Sequence, residues 1–375
     1  LENYFGDITL SAVWQLHEYQ INYVGIDNLN TSNLKTKFTI QDEPLSIDYS
    51  NFFGNGYSLY HLALDENYLN ILQDGDKLYF DTISRPNPDT INIYIKAVDF
   101  HNGGGNGTKN SPYVIETAEH FGALLEGQKS GNVQHIKLNN DIEVLDVFDT
   151  QKPLENIIFD GNDKTIYFMY INSINNFAGL IPSIKNCQFS NINFVASNFY
   201  DGVIFDETKY IGLVFGNINN SILNDISLVF EEELTVQSQS ETGMMYISAF
   251  AGRAENSSVL NNIKIKGSPL FDICANGDLN LYFGTICAAV YNSLIINSQI
   301  DFQASFNVDL YKENAQAIIF TSGLANLWRD AKIYNSISHG VIFAKSFEFS
   351  RVISSGIANA FAEGATAKNI FAVYE

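Results

Sequence analysis

From residue 156 onward the sequence repeats itself, and no other feature constrains its fold as strongly. Gly179-Leu-Ile-Pro-Ser-Ile-Lys-Asn186 is followed by Gly212-Leu-Val-Phe-Gly-Asn-Ile-Asn219. Related segments recur at Ala249-Phe-Ala-Gly252, Gly284-Thr-Ile286, Gly323-Leu-Ala325 and Gly356-Ile-Ala358. Glycines 179, 212, 284, 323 and 356 set a period of roughly 33–39 residues, with one degenerate copy at 248–252. Each copy runs from a small-residue apolar strand through an Asn-rich turn into a short strand with an inward Ile. Asparagine accepts the left-handed backbone that a sharp corner needs, so it suits a bend repeated coil after coil. A unit this short cannot bury its apolar face alone; stacking the copies pairs each strand with its equivalents and closes one continuous core. That predicts a parallel β-solenoid, about eight coils at ~4.8 Å each, or roughly 40 Å. A propeller wants four longer strands per repeat and a leucine-rich repeat wants an L-x-x-L-x-L-x-x-N frame; neither pattern is kept.

The rest of the chain divides around this array. Residues 7–14 and 19–24 alternate as strands, and residues 91–100 echo them, so residues 1–15 read as the end of one module and 16–100 as a small β-rich spacer. Residues 101–112, His-Asn-Gly-Gly-Gly-Asn-Gly-Thr-Lys-Asn-Ser-Pro, read as a Gly-rich linker. This loop lacks the Lys-hydroxyl ending of a phosphate-binding loop. Residues 113–375 form the solenoid, opened by a helix at 117–126. Thr117 is its N-cap, and Phe121, Leu124 and Leu125 share a face with Ala118. Such a helix would cover the first coil's exposed core. The fold class expected is therefore all-β: a right-handed parallel β-helix with an N-terminal helix cap, behind a small separate domain.

Composition limits function. The chain carries 42 acidic and 21 basic residues, a net charge of −21, which opposes nucleic acid, anionic membranes and polyanionic substrates unless a local basic groove compensates. Three cysteines, Cys187, Cys274 and Cys287, lie in apolar or turn contexts without metal-ligand spacing and read as structural filler, though one disulfide pair is feasible. No stretch reaches the ~20 apolar residues of a membrane span, so no membrane insertion is expected. The chain opens inside a motif, and targeting signals are expected outside it.

No catalytic set emerges. The six histidines (17, 61, 101, 120, 135 and 339) stand in no nucleophile or metal-ligand pattern. Asp141, Glu143, Asp146 and Asp149 cluster, with Asp141 and Glu143 on one strand face; they could hold calcium, and the residues leave the metal question open. Asp160 and Asp163 flank Gly161 as turn formers, and Glu231 to Glu233 form a solvated charge run. Arg253 and Arg329 occupy comparable segments of different copies, which would place them on related faces. Trp328, Tyr291 and Tyr334 are the aromatics that could stack on sugars, packing at coil edges being the plainer reading. No cofactor is called for.

Two segments resemble known families. Asp7-Ile-Thr-Leu-Ser-Ala-Val-Trp14 followed by Tyr19-Gln-Ile-Asn-Tyr-Val24 resembles the junction of tandem Listeria–Bacteroides (internalin B-type) repeats, which implies a β-grasp-like spacer for residues 16–100. The Gly-Leu copies, with the lead-in from Gly105 through Met169, resemble the GLUG-motif solenoids of bacterial surface proteins over about residues 103–375. Most copies lack the motif's second glycine. The resemblance implies extracellular, cell-surface display and a non-catalytic adhesin or scaffold segment. Such a segment would bind a host or extracellular-matrix glycan or protein through its faces and loops. The alternative is a β-helix polysaccharide lyase or glycoside hydrolase, marked by carboxylates or Arg/Lys converging across adjacent coils. A tailspike-like receptor binder would instead be an obligate trimer.

Overall fold

A computed structural model describes residues 18–24, 37–39, 45–46, 58–64, 71–72, 76–78 and 90–98, and, further along the chain, 103–127, 132–148, 150, 152–197, 210–231, 235–240, 243–275, 277–311, 315–327, 329–346, 351–356, 358–360 and 364–374. The expected strand at 7–14 lies outside these. The chain forms two compact units, Leu1–Asp99 and Phe100–Glu375.

The described part of the first unit holds a five-stranded sheet and a separate antiparallel pair, Leu45–Ser46 with Lys77–Leu78. Glu18–Val24 pairs in parallel with Thr90–Val98, and antiparallel strands flank this pair on both sides. Ile21, Ile91, Ile93 and Ile95 are buried, while Asn22 and Asn92, which alternate with them, are exposed. Period-2 alternation thus puts one face inside and one in water.

The second unit is a β-solenoid of three strand ladders. One ladder stacks seven short strands: Leu154–Glu155, Ile181–Lys185, Phe215–Asn219, Ala251–Glu255, Cys287–Val290, Ala325–Leu327 and Ala358–Ala360. All its pairings are parallel. We call it the arginine ladder. A second, the tyrosine ladder, stacks Phe177–Gly179, Tyr210–Gly212, Gly243–Ser248, Leu279–Gly284, Ala317–Ser322 and Arg351–Ser355 in parallel. Asn172–Ile174 folds back antiparallel at its edge. The third holds the long strands, among them Gln188–Ala196, Ile222–Phe230 and Val259–Gly267.

Each coil turns at two asparagine corners. Left-handed backbone occurs at Asn156, Asn186, Asn220, Ser257, Asn292 and Asp330 on one corner, and at Asn191, Asp225, Asn262, Asn297, Asn335 and Asn369 on the other. Side-chain amides link successive coils there: Asn297 donates to Asn261 at 2.9 Å, and Asn369 donates to Asn335 at 3.0 Å. Partners along these columns lie 34–38 residues apart, the spacing of one coil. Asparagine is placed here because it tolerates positive φ and carries both a donor and an acceptor to neighbours above and below.

The turn between the tyrosine and arginine ladders is tighter, and small residues make it possible. A Cβ on Gly212 would lie 2.2 Å from the Phe215 carbonyl oxygen and 2.3 Å from the Gly252 nitrogen. The register also revises the repeat read from sequence. Gly212 is followed along its column by Ser248, while Gly284 pairs with Ser322 and Ser322 with Ser355. Gly323 and Gly356 therefore stand one residue past the equivalent position; serine is small enough to take it.

Phenylalanines fill the interior. Phe159 stacks on Phe189 with centroids 5.3 Å apart, and Phe215 packs edge-on against Phe189 and Phe250, each at 5.5 Å. Burial of each such ring is worth ~1.5–3 kcal/mol before any ring–ring term. Helix α1, Ala118–Gly127, closes the first coil with Phe121, Leu124 and Leu125 fully buried; Thr117 Oγ1 accepts the His120 N–H at 3.2 Å as N-cap. The Gly-rich stretch before it is fastened to this coil: Val114 N–H donates to Gly104 O and His135 N–H to Gly107 O.

Candidate ligand-binding groove

The outer faces of the two short-stranded ladders carry the chain's most concentrated side-chain chemistry. On the tyrosine ladder, Phe177, Tyr210, Tyr246, Tyr282 and Phe320 stand one above another, their rings stacked at 5.6, 4.6, 4.9 and 4.8 Å. Parallel strands in register impose that spacing, since equivalent residues on adjacent coils lie ~4.8 Å apart. Stacking uses up the faces of the inner rings, so this column is a structural spine that shows edges and hydroxyls outward. Burial pushes the Tyr246 hydroxyl up to about 12, with Tyr210 and Tyr282 adding to the rise and Arg253 opposing it.

Arg253 sits where this spine meets the arginine ladder. Its guanidinium lies 5.2 Å from the centre of the Tyr210 ring and 5.1 Å from that of Tyr291. It also donates through Nη2 to Glu255 Oε2. Glu255 Oε1 accepts from Asn219 Nδ2 at 3.1 Å and Asn217 Nδ2 at 3.4 Å. Strand alternation explains the grouping: Arg253 and Glu255 are two apart on one strand and face outward together, while Ala254 between them is buried. Burial raises the Tyr291 hydroxyl well above the usual tyrosine range, reinforced by Tyr210 and Tyr246.

Beside this cluster opens a groove of ≈ 560 Å³ lined by Arg253, Glu255, Asn256, Tyr291, Asn292, Arg329 and Asp330. It crosses three successive coils, tied by the Asn292 N–H donating to Arg329 O at 2.7 Å. The sequence-derived candidates Arg253, Arg329 and Tyr291 are thus brought to one site. Trp328 lies outside the described residues, and Tyr334, half-buried on the strand Lys332–Tyr334, is not in the groove. The other acids are engaged locally or lie apart. Asp141 Oδ1 caps the Thr165 N–H at 2.7 Å, and Asp160 Oδ1 accepts from Asn162 N and Asn191 Nδ2. Glu143 and Asp146 are exposed, and Asp149 lies outside the described residues, as do Glu232 and Glu233. No grouping of three or more His, Cys, Asp or Glu suited to a metal occurs among the described residues. His120 accepts the Glu116 N–H at 3.4 Å, and His339 faces Asp301 at 3.2 Å on an exposed strand; His17 and His101 lie outside the described residues. Cys187, Cys274 and Cys287 are free thiols, the first and last buried. Among the described residues no helix is long and apolar enough to cross a membrane.

Sequence reasoning missed Glu255, Asn256, Asn292 and Asp330 as groove residues, and it missed the aromatic spine. For the spine a signal existed: an aromatic two residues before the small-residue column, as in Phe177-Ala-Gly179, Tyr210-Ile-Gly212, Tyr246-Ile-Ser248 and Tyr282-Phe-Gly284.

No protein-family model matches the chain, and no curated protein matches it. Among solved structures it is similar to a chain described as "a putative immunoglobulin A1 protease from Bacteroides ovatus", at 16% identity and a TM-score of 0.37, covering 72% of this chain and 86% of that one. The solenoid assignment rests on this chain's own strand register.

Proposed function

We propose that this chain is a non-catalytic, extracellular segment of a bacterial surface protein, and that it binds a glycan in the groove beside Tyr291. The observation that carries this reading is how Glu255 is occupied. Glu255 accepts hydrogen bonds from Arg253, Asn217 and Asn219. The Asp330 carboxylate is packed so closely on Gly364 of the following coil that a Cβ there would lie 2.0 Å from its Oδ1. A glycosidase needs two opposed carboxylates free to give and take a proton across a sugar, and Glu255 is held by three donors, which leaves Asp330 as the one groove carboxylate open to solvent. Beside that carboxylate the opening presents a tyrosine ring, side-chain amides and a guanidinium, groups that hold a sugar by stacking and hydrogen bonds. The purified chain should retain glycans without shortening them. Polysaccharide depolymerisation by the purified chain, seen as new reducing ends or as unsaturated products, would replace this reading with that of a hydrolase or lyase.

A further inference from the structure

We infer that the groove selects sugars bearing a carboxylate, and that the Arg329 guanidinium is the group that receives it; this rests on the reading of the groove as a glycan site. Charge accounting within the groove leads there. Arg253 is committed to Glu255 and lies against Tyr210 and Tyr291. Asp330 is exposed with its Oδ1 beside Gly364, and it forms no ion pair with Arg329. Arg329 is exposed, lines the opening and has no ion-pair partner among the described residues. Its planar fork matches the two oxygens of a carboxylate, which can accept a bidentate pair of charge-assisted hydrogen bonds.

The rest of the surface sharpens the choice. With a net charge of −21, the chain repels anionic ligands over most of its area. Two of its four arginines converge here and balance Glu255 and Asp330, so the groove carries no net charge and the repulsion is weaker at this place than the chain's overall charge implies. Asn256 donates Nδ2 to Asn219 Oδ1 at 3.2 Å, which leaves its own Oδ1 to accept from a sugar hydroxyl. Tyr291 supplies the apolar surface on which a pyranose ring can rest. An acidic monosaccharide unit would then place its carboxylate on Arg329 and its ring along Tyr291.

The test uses the intact chain on an array of uronate- and sialate-bearing glycans beside their neutral counterparts, followed by titration of the best pair. Acidic glycans should bind about ten-fold tighter than their neutral partners, and added salt should weaken that preference. Arg329→Gln should reduce acidic binding to the neutral level with the melting temperature unchanged, and Tyr291→Ala should weaken both. Equal binding of neutral and acidic glycans would overturn the selectivity while leaving the glycan site standing. So would acidic binding that survives Arg329→Gln yet is lost in Tyr291→Ala. Binding to no glycan on the array would overturn both the site and its selectivity.

Discussion

Ser322 donates its hydroxyl to Asn326 Oδ1 at 2.6 Å across the tight turn between the tyrosine and arginine ladders. The Asn326 amide in turn donates to Phe283 O at 3.1 Å and Ala288 O at 3.0 Å, on the preceding coil. Earlier coils make the same turn with small residues, Gly212 with Gly216 and Ser248 with Gly252. Asn326 stands where the preceding coils have Gly216, Gly252 and Ala288, and in its coil a buried amide clamps the turn.

The clamp makes a specific prediction. Ser322 and Asn326 are both fully buried, so Asn326→Ala would leave one hydroxyl and two carbonyl oxygens without this partner. The expected loss is roughly 2–4 kcal/mol, from unsatisfied polar groups and a small cavity. Asn326→Asp should cost more, because its carboxylate would face two carbonyl oxygens. Urea denaturation followed by circular dichroism measures both; a shift below about 0.5 kcal/mol for Asn326→Ala would show that the turn holds without the clamp.

The glycine form of the same turn can be tested by adding one methyl group. At Gly216 a Cβ would sit 2.4 Å from Pro182 O and 2.8 Å from Ala178 N, both backbone atoms of the preceding coil. Neither can swing aside as a side chain could. Gly216→Ala should destabilise by about 2 kcal/mol or more through overpacking. Gly243→Ala is the control: a Cβ there meets nothing within 4 Å, and only its positive φ of 117° opposes the change. A loss below about 0.5 kcal/mol at Gly216 would mean that the coils can move apart enough to admit a methyl group.

The solenoid and its corners were legible in the sequence because both follow from local chemistry repeated at one spacing. Asn186, Asn220, Asn297, Asn335 and Asn369 could be assigned to left-handed corners, since few other residues tolerate them. The coil register was less legible: Gly323 and Gly356 drew attention, while Ser322 and Ser355 hold the equivalent places. A small side chain satisfies the steric need, so glycine is sufficient there but not required. The groove was legible only in part. Arg253 and Arg329 stood out as rare cations, and Tyr291 as a candidate for stacking on sugar. That Glu255 and Asp330 join them depends on which coil corner lies beside which strand end, and the uneven loop lengths between copies hide this.

Two buried thiols and several phenols, Tyr246 and Tyr291 among them, tie stability to alkaline pH. Burial pushes Cys187 up to about 11 and Cys287 up to about 12, and Tyr246 likewise to about 12. In each case the folded protein holds its proton to higher pH than the unfolded chain. Above about pH 9 the unfolded chain therefore binds fewer protons, and stability falls as pH rises toward 11–12; below pH 9 these groups contribute no slope. Native alkylation at pH 8 gives a second readout. Half-buried Cys274 should react first, and Cys187 and Cys287 only after unfolding. Mass spectrometry showing all three labelled at one rate in the native protein would contradict their burial.

Arg253 offers the sharpest energetic test, because three partners meet at one side chain. It lies against Tyr210 and Tyr291 and is bonded to Glu255, so single substitutions mix stacking, charge and packing. A double-mutant cycle separates them. Arg253→Met keeps much of the packed volume and removes the charge, and Tyr291→Leu removes the ring. If the guanidinium is held by the ring face, the two changes together should cost less than their sum, by about 0.5–1 kcal/mol. A parallel cycle with Glu255→Gln should give a larger coupling, since it breaks a charge-assisted hydrogen bond in a half-buried setting. Lysine should not rescue Arg253, because an ammonium cannot lie flat between two rings while donating to the carboxylate. Additive effects with Tyr291→Leu, measured by urea denaturation, would mean that Arg253 stays in place through Glu255 alone. The Tyr291 side of the groove would then be set by its own packing against Ala288, Ala289 and Tyr246.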